Sequence, residues 1–292
     1  MKTRILVAVP LILFVMLAIL CQGWVLALFA VAVGISCTFE VTRALCGKKA
    51  PLLSAVPICL AVCLAALFCL DMALRQDPAN SAALFHPELI LLIIMAAAAI
   101  AFVAAMFARG GTFSGLQNVL FTFVYPQLLV IFFYLLILDL QSDASYAETV
   151  TALLMLFVPS ALSDTLAYFW GRKFGRTKLC PVISPNKTVA GSVAGLVGGA
   201  IGALLVYLLA FSQILGAGRP GNAALYMLGG FLLAFLSQIG DLAASYIKRA
   251  VDIKDFGRLL PGHGGVMDRV DSTLFVAPPV YLLTTLGLFA LV

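Results

Sequence analysis

The sequence predicts an all-α, polytopic integral membrane bundle of about nine transmembrane helices, and three observations carry that prediction. First, of 292 residues 63% are hydrophobic and only 11% are charged, whereas a soluble domain has about 45–50% apolar and about 25% charged residues. Second, apolar stretches suited to a hydrocarbon core of ~30 Å recur nine times along the chain. Third, the basic residues are distributed asymmetrically among the connections between those stretches, as the positive-inside rule requires. The same composition excludes a disordered chain, a collagen and a disulfide-stapled secreted module.

Taken in order, the stretches are roughly 5–21, 24–45, 51–70, 88–108, 118–138, 148–170, 189–215, 223–247 and 273–292. Only Gln22 and Gly23 separate the first two, which makes them a tight hairpin. Lys2 and Arg4 before an apolar run resemble a signal peptide. The apolar character continues past Cys21, so a retained first helix is expected. Nine spans place 16 of the 18 basic residues on the N-terminal side and leave only Arg75 and Arg219 opposite. The N-terminus and the large basic loops are therefore expected in the cytoplasm, with the chain in the cell's inner or plasma membrane. A net charge of +5 reflects those loops and implies no nucleic-acid partner. Seven cysteines lack C-x-x-C or metal-type spacing, so neither a disulfide framework nor a zinc site is expected.

The two halves differ in content. Residues 1–150 form an N-terminal transmembrane region without a polar motif; there Glu40 and Arg43, three apart, are expected to pair on one helix. Residues 151–292 form the C-terminal region that carries the chemistry, at its cytoplasmic face. Gly216-Ala217-Gly218-Arg219-Pro220-Gly221 fits G-x-G-x-x-G but joins two membrane helices, so it reads as a turn and not as a dinucleotide loop. Gly191, Gly195 and Gly199, with Gly198 and Gly202, have small-xxx-small spacing and predict close helix packing.

Ionisable groups at or inside a membrane are costly and usually functional, and three segments concentrate them. These are Ser163-Asp164-Thr165 with Arg172, then Ser184-Pro185-Asn186-Lys187-Thr188 opening the seventh helix, and finally Gly240-Asp241 through Ser272. Asp241, Ser245 and Lys248 fall at i, i+4 and i+7, on one stripe of a helix. Asp268 and Asp271, three apart, share a face if that segment is helical. Carboxylates without thiol or paired imidazole suit a hard cation such as Mg²⁺. Arg172, Lys187, Lys248, Arg249 and Arg269 offer donors to a polyphosphate. The glycines of Gly262-His263-Gly264-Gly265 let backbone N–H groups approach an anion closely. Together these features describe Mg²⁺-nucleotide chemistry at a membrane surface.

The run Ser245-x-Ile247-Lys248-Arg249-x4-Lys254-Asp255-x-Gly257-x2-Leu260-Pro261-x-His263-Gly264-Gly265-Val266-x-Asp268-Arg269-Val270-Asp271 closely resembles the signature of phosphatidate cytidylyltransferases, or CDP-diacylglycerol synthases. Ser163-Asp164-x2-Ala167-Tyr168-x2-Gly171-Arg172 and Ser184-Pro185-x-Lys187-Thr188 are similar to that family's upstream motifs, in the same order. The resemblance covers residues 160–272. It implies a membrane nucleotidyltransferase of phospholipid biosynthesis, commonly a homodimer, that converts CTP and phosphatidic acid to CDP-diacylglycerol and pyrophosphate. It also implies Asp241, Asp268 and Asp271 as ligands of Mg²⁺, with two cations at the site and Lys187 among the catalytic groups. Asp164, Arg172, Ser184, Ser245, Lys248, Arg249, Lys254, His263, Gly264, Gly265 and Arg269 are implied as substrate-binding or orienting residues. Two positions depart from the pattern: Ala244 stands where the family has Glu, and Ala190 where it has Glu or Gln. Rival readings are a related enzyme acting on another lipid phosphate, a family member with degraded activity, and a transporter. The transporter would need inverted repeats and broken helices at the bilayer midplane; no internal repeat is present and the charges cluster at one face.

Overall fold

The computed structural model describes residues 2–47, 51–75, 84–107, 113–142, 146–212, 222–260, 262 and 264–287. Among these residues, nine helical rods follow the nine apolar stretches in order. Seven of them are long and apolar enough to cross a membrane. The chain is a multi-pass, all-α membrane protein, and its seven cysteines are free thiols.

Two compact units make up the fold: Met1–Leu138 with Ile253–Arg269, and Asp139–Asp252 with Val270–Val292. In the first unit α1 (Lys2–Cys21) and α2 (Gly23–Cys46) are separate rods. The chain reverses between them through Gln22 and Gly23, with φ of 48° and 49°. α3 (Pro51–Arg75) and α4 (Pro87–Phe107) follow. The next rod is α5 (Phe113–Thr122), a wide turn over Phe123–Leu128, and α6 (Leu129–Ser142). Its bend falls at Tyr125, with φ −134° and ψ 110°, immediately before Pro126. Proline disfavours a helical conformation in the residue before it and offers no N–H to the ladder. In the core, Phe68 stacks on Tyr134 at 4.5 Å between ring centroids, with Phe85 edge-on to both. Asp71, fully buried, accepts from Arg75 Nε at 2.7 Å and from the N–H groups of Leu84 and Phe85.

The second unit is built on α7 (Tyr146–Phe174), α8 (Val189–Phe211) and α9 (Ala223–Ala250). The glycine stripe of α8 packs as its spacing predicts. A Cβ on Gly198 would lie 2.8 Å from Leu162 O, and one on Gly202 would lie 3.0 Å from Pro159 Cα, so these glycines bring α8 onto α7. On the other flank, a Cβ on Gly199 would lie 2.6 Å from Gly230 O of α9. Small residues let the backbones approach this closely.

Between α7 and α8 the structure departs from expectation. Ser184–Thr188 does not open the helix; it is strand β2, paired antiparallel with β1 (Lys178–Cys180) in a short hairpin. The helix opens at Val189 because Thr188 caps it, its side chain accepting from Gly191 N at 3.2 Å. A second departure is α10 (Met267–Thr285), which begins six residues before the expected apolar stretch. Asp268, Arg269 and Asp271 are therefore in its first turns.

Candidate active site

Four elements of the second unit enclose a cleft of about 580 Å³. From α7 it receives Asp164, Tyr168, Gly171 and Arg172, spaced so that they lie along one face of the helix, and Gly175 just past its end. The hairpin contributes Lys178, Asn186, Lys187 and Thr188, α8 contributes Gly191 and Ser192, and α9 contributes Gln238 and Asp241. Two carboxylates and three cations thus share one opening. Lys187 Nζ lies 2.6 Å from Asp241 Oδ2, with side-chain exposures of 27% and 35%. Both ends of this ion pair remain in reach of a ligand. Arg172 Nη1 donates to Tyr168 Oη at 3.4 Å, one turn back along α7.

The hairpin reaches α7 because two glycines yield to it. A Cβ on Gly171 would lie 2.8 Å from Thr188 Oγ1, and one on Gly175 would also run into Thr188. The floor is tied by Gln238. Its Nε2 donates to Ser163 Oγ at 3.2 Å and to Ser192 O at 3.1 Å, while Ser192 Oγ donates to its Oε1. One amide therefore fastens α7, α8 and α9 one turn from Asp241. The sequence reading missed Gln238, Lys178, Asn186 and Ser192. For Gln238 the signal was its i−3 spacing from Asp241; Lys178 required knowledge of the hairpin.

Farther along α9, Lys248 Nζ is 4.0 Å from Asp271 Oδ2, and both side chains are nearly buried. Gly240 permits this approach of α9 to α10, since its Cβ would lie 2.8 Å from Asp271 O. Ser245 is half-buried and Arg249 exposed on α9, and Ser184 is half-buried at the start of β2. None of these three lines the cleft. Neither do Ala190 and Ala244, where the resemblance expects acidic or polar side chains; Ala244 is fully buried.

In the first unit the signature loop forms its own constellation. Asp268 Oδ2 accepts from Phe256 N at 2.9 Å and Gly265 N at 3.0 Å. Gly264, at φ +86°, bridges back to Leu260. The anion held by Gly265 N–H is thus the chain's own carboxylate. Lys254 lines a separate cavity of about 630 Å³ with Arg43 and Arg258, and Arg269 is exposed. Glu40 does not turn to Arg43: its carboxylate accepts from Val266 N at 3.1 Å and Met267 N at 2.9 Å. Local i, i+3 spacing lost because unsatisfied N–H groups at a helix start attract a carboxylate more strongly than an exposed guanidinium does. His263 and the Gly216–Gly221 stretch lie outside the described residues.

The cleft's donor set is oxygen only, with no thiol or imidazole. Mg²⁺ is commonly held by one or two carboxylates together with substrate phosphates, and Asp164 and Asp241 fit that requirement. Among the described residues no three His, Cys, Asp or Glu side chains form a ready-made metal cage.

Comparison with known proteins gives the same direction. The group described as "Cytidylyltransferase family" matches residues 2–286. A phosphatidate cytidylyltransferase of Brucella abortus biovar 1 (strain 9-941) is 43% identical over 132 residues, 45% of this chain and 46% of that protein. Its counterpart in Staphylococcus saprophyticus is 40% identical over 139 residues, 47% of this chain and 50% of that protein. That of Staphylococcus haemolyticus is 36% identical over 140 residues, or 48% and 51%. The chain spans about half the length of these curated relatives.

Proposed function

The chain belongs to the cytidylyltransferase family, and we propose that it condenses CTP with phosphatidic acid, giving CDP-diacylglycerol and pyrophosphate. One observation carries this reading: the cleft in which Asp164 and Asp241 share an opening with Arg172, Lys178 and Lys187. Carboxylates alone would repel a nucleotide, and cations alone would bind phosphate without placing a metal. The combination suits a metal-bound polyphosphate.

In the proposed reaction an oxygen of the lipid phosphate attacks the α-phosphorus of CTP, and the bond to the β-phosphate oxygen breaks. The nucleophile is already ionised, so no side-chain base is required. Asp164 and Asp241 would hold Mg²⁺, which when bound would supply charge neutralisation at the reacting phosphates. Lys187, released from Asp241 by the arriving phosphates, binds the departing pyrophosphate oxygens. Arg172 and Lys178 hold the outer phosphates, and all three cations act by positioning and by stabilising developing charge. The ligand roles of Asp268 and Asp271, and a second cation, rest on the signature. So do substrate contacts at Ser184, Ser245, Lys248, Arg249, Lys254, His263, Gly264, Gly265 and Arg269. Charge asymmetry supports an N-terminus and reacting face in the cytoplasm. A homodimer belongs to the same proposal, and the mass of the detergent-solubilised particle tests it.

The direct test supplies purified protein in detergent with CTP labelled at its α-phosphate, phosphatidic acid and Mg²⁺. Label should enter a lipid product only when phosphatidic acid is present, with one pyrophosphate released per turnover. No labelled lipid under any divalent-cation condition would overturn the assignment.

A further inference from the structure

We infer that Glu40 is a positioning residue for the signature loop, and that Gly257 and Gly265 are glycines because its carboxylate packs against them. The inference rests on the proposed role of that loop in the reaction. Glu40 lies on α2, in the half of the sequence that carries no polar motif, and is 6% exposed. It accepts hydrogen bonds from Val266 N and Met267 N, 226 and 227 positions along the chain. Asp268 takes the preceding donor, Gly265 N, and reaches back to Phe256 N. Three consecutive N–H groups at the start of α10 are therefore held by two carboxylates.

This arrangement has a physical logic. The first N–H groups of a helix have no partner within the helix, and the helix dipole favours negative charge beside them. A nearly buried carboxylate in turn needs such donors. The bonds are charge-assisted and fix the turn from both sides. A side chain at either glycine would push the Glu40 carboxylate off its donors: a Cβ on Gly257 would lie 2.6 Å from Glu40 Cδ, and one on Gly265 would lie 2.5 Å from it. With Asp268 at the centre of this loop, the aim of its carboxylate depends on Glu40 holding the loop closed.

The test compares full-length wild type with Glu40→Gln in detergent. The amide keeps the size but turns an NH₂ toward one of the two N–H donors, so one bond is lost. Groups that orient metal ligands typically cost roughly 10–100-fold in metal affinity or activity when removed. We expect kcat to fall by that order, the Mg²⁺ concentration for half-maximal rate to rise, and KM for CTP to move much less. Unchanged kcat and Mg²⁺ dependence in a folded variant would overturn the inference. So would a loss that merely tracks the amount of folded protein. Hydrogen–deuterium exchange gives a readout independent of activity. The amides of Gly265, Val266 and Met267 should exchange slowly in wild type and faster in Glu40→Gln. Rapid exchange in wild type would overturn the clamp even if the variant does not fold. If wild type makes no lipid product, the proposed reaction fails and exchange still decides the clamp. A last arm uses Gly257→Ala, which should loosen the loop in wild type but be tolerated beside Glu40→Ala. Equal damage in both backgrounds would count against the inference.

Discussion

Replacing Asp241 by Asn separates charge placement in the cleft from mere structural support. The variant removes one negative charge 2.6 Å from Lys187 Nζ and leaves the shape nearly unchanged. Both partners are substantially exposed, at 27% and 35% of the side chain, so water replaces much of what the pair provides. Exposed ion pairs contribute about 0.2–1 kcal/mol, and the thermal midpoint should fall by only a few degrees. Turnover should fall by at least about 100-fold, the scale seen when a group stabilising transition-state charge is lost. Binding of CTP without divalent cation should move the other way. Losing one like charge about 4 Å from a phosphate in a water-like cleft is worth about 1 kcal/mol, or about fivefold tighter binding. Calorimetric titration with CTP in chelator, thermal unfolding and labelled-CTP turnover measure the three quantities on one preparation. The reasoning is refuted if metal-free CTP binds more weakly to the variant. It is equally refuted if turnover survives, or if activity falls only in step with a large loss of stability.

Two further substitutions probe the scaffold away from the chemistry. Gly199→Val forces a side chain into Ala234 and Gly230 of α9. Overpacking of this kind costs about 1–3 kcal/mol, so the thermal midpoint and the yield of monodisperse protein should drop. Asp71→Ala strips a fully buried acceptor from Arg75 and from two backbone N–H groups. Arg75 is 31% exposed and stays hydrated, so the cost is that of N–H groups left without an acceptor, about 1–3 kcal/mol, read as a lower unfolding midpoint, while turnover per folded molecule should remain within about twofold.

Much of the second unit was legible in the sequence because its logic is local. The glycine spacing of α8 announced close packing, and the i, i+4, i+7 stripe of α9 did place Asp241, Ser245 and Lys248 on one helix. Asp164, Lys187 and Asp241 could be grouped because each stands in a polar island within apolar sequence. The hairpin was not legible: Ser184–Thr188 is a five-residue strand with Pro185 and Asn186 inside it, too short to show an alternating pattern. The early start of α10 was hidden for a related reason, since Asp268, Arg269 and Asp271 depress hydropathy exactly where helical backbone begins. Glu40 was misread because its partners are backbone amides 226 and 227 residues away. No local rule reports a contact of that kind, whereas Arg43 stands three residues distant.

The proposed function requires nucleotide phosphates to bind in the cleft bounded by α7, the hairpin, α8 and α9. An experimental structure of the full-length protein with CTP and Mg²⁺ tests it most directly. Phosphate density should touch Lys187 and Arg172, with cation density beside the carboxylates of Asp164 and Asp241. Ordered nucleotide bound elsewhere, with the Lys187–Asp241 ion pair intact and the cleft empty, would contradict it.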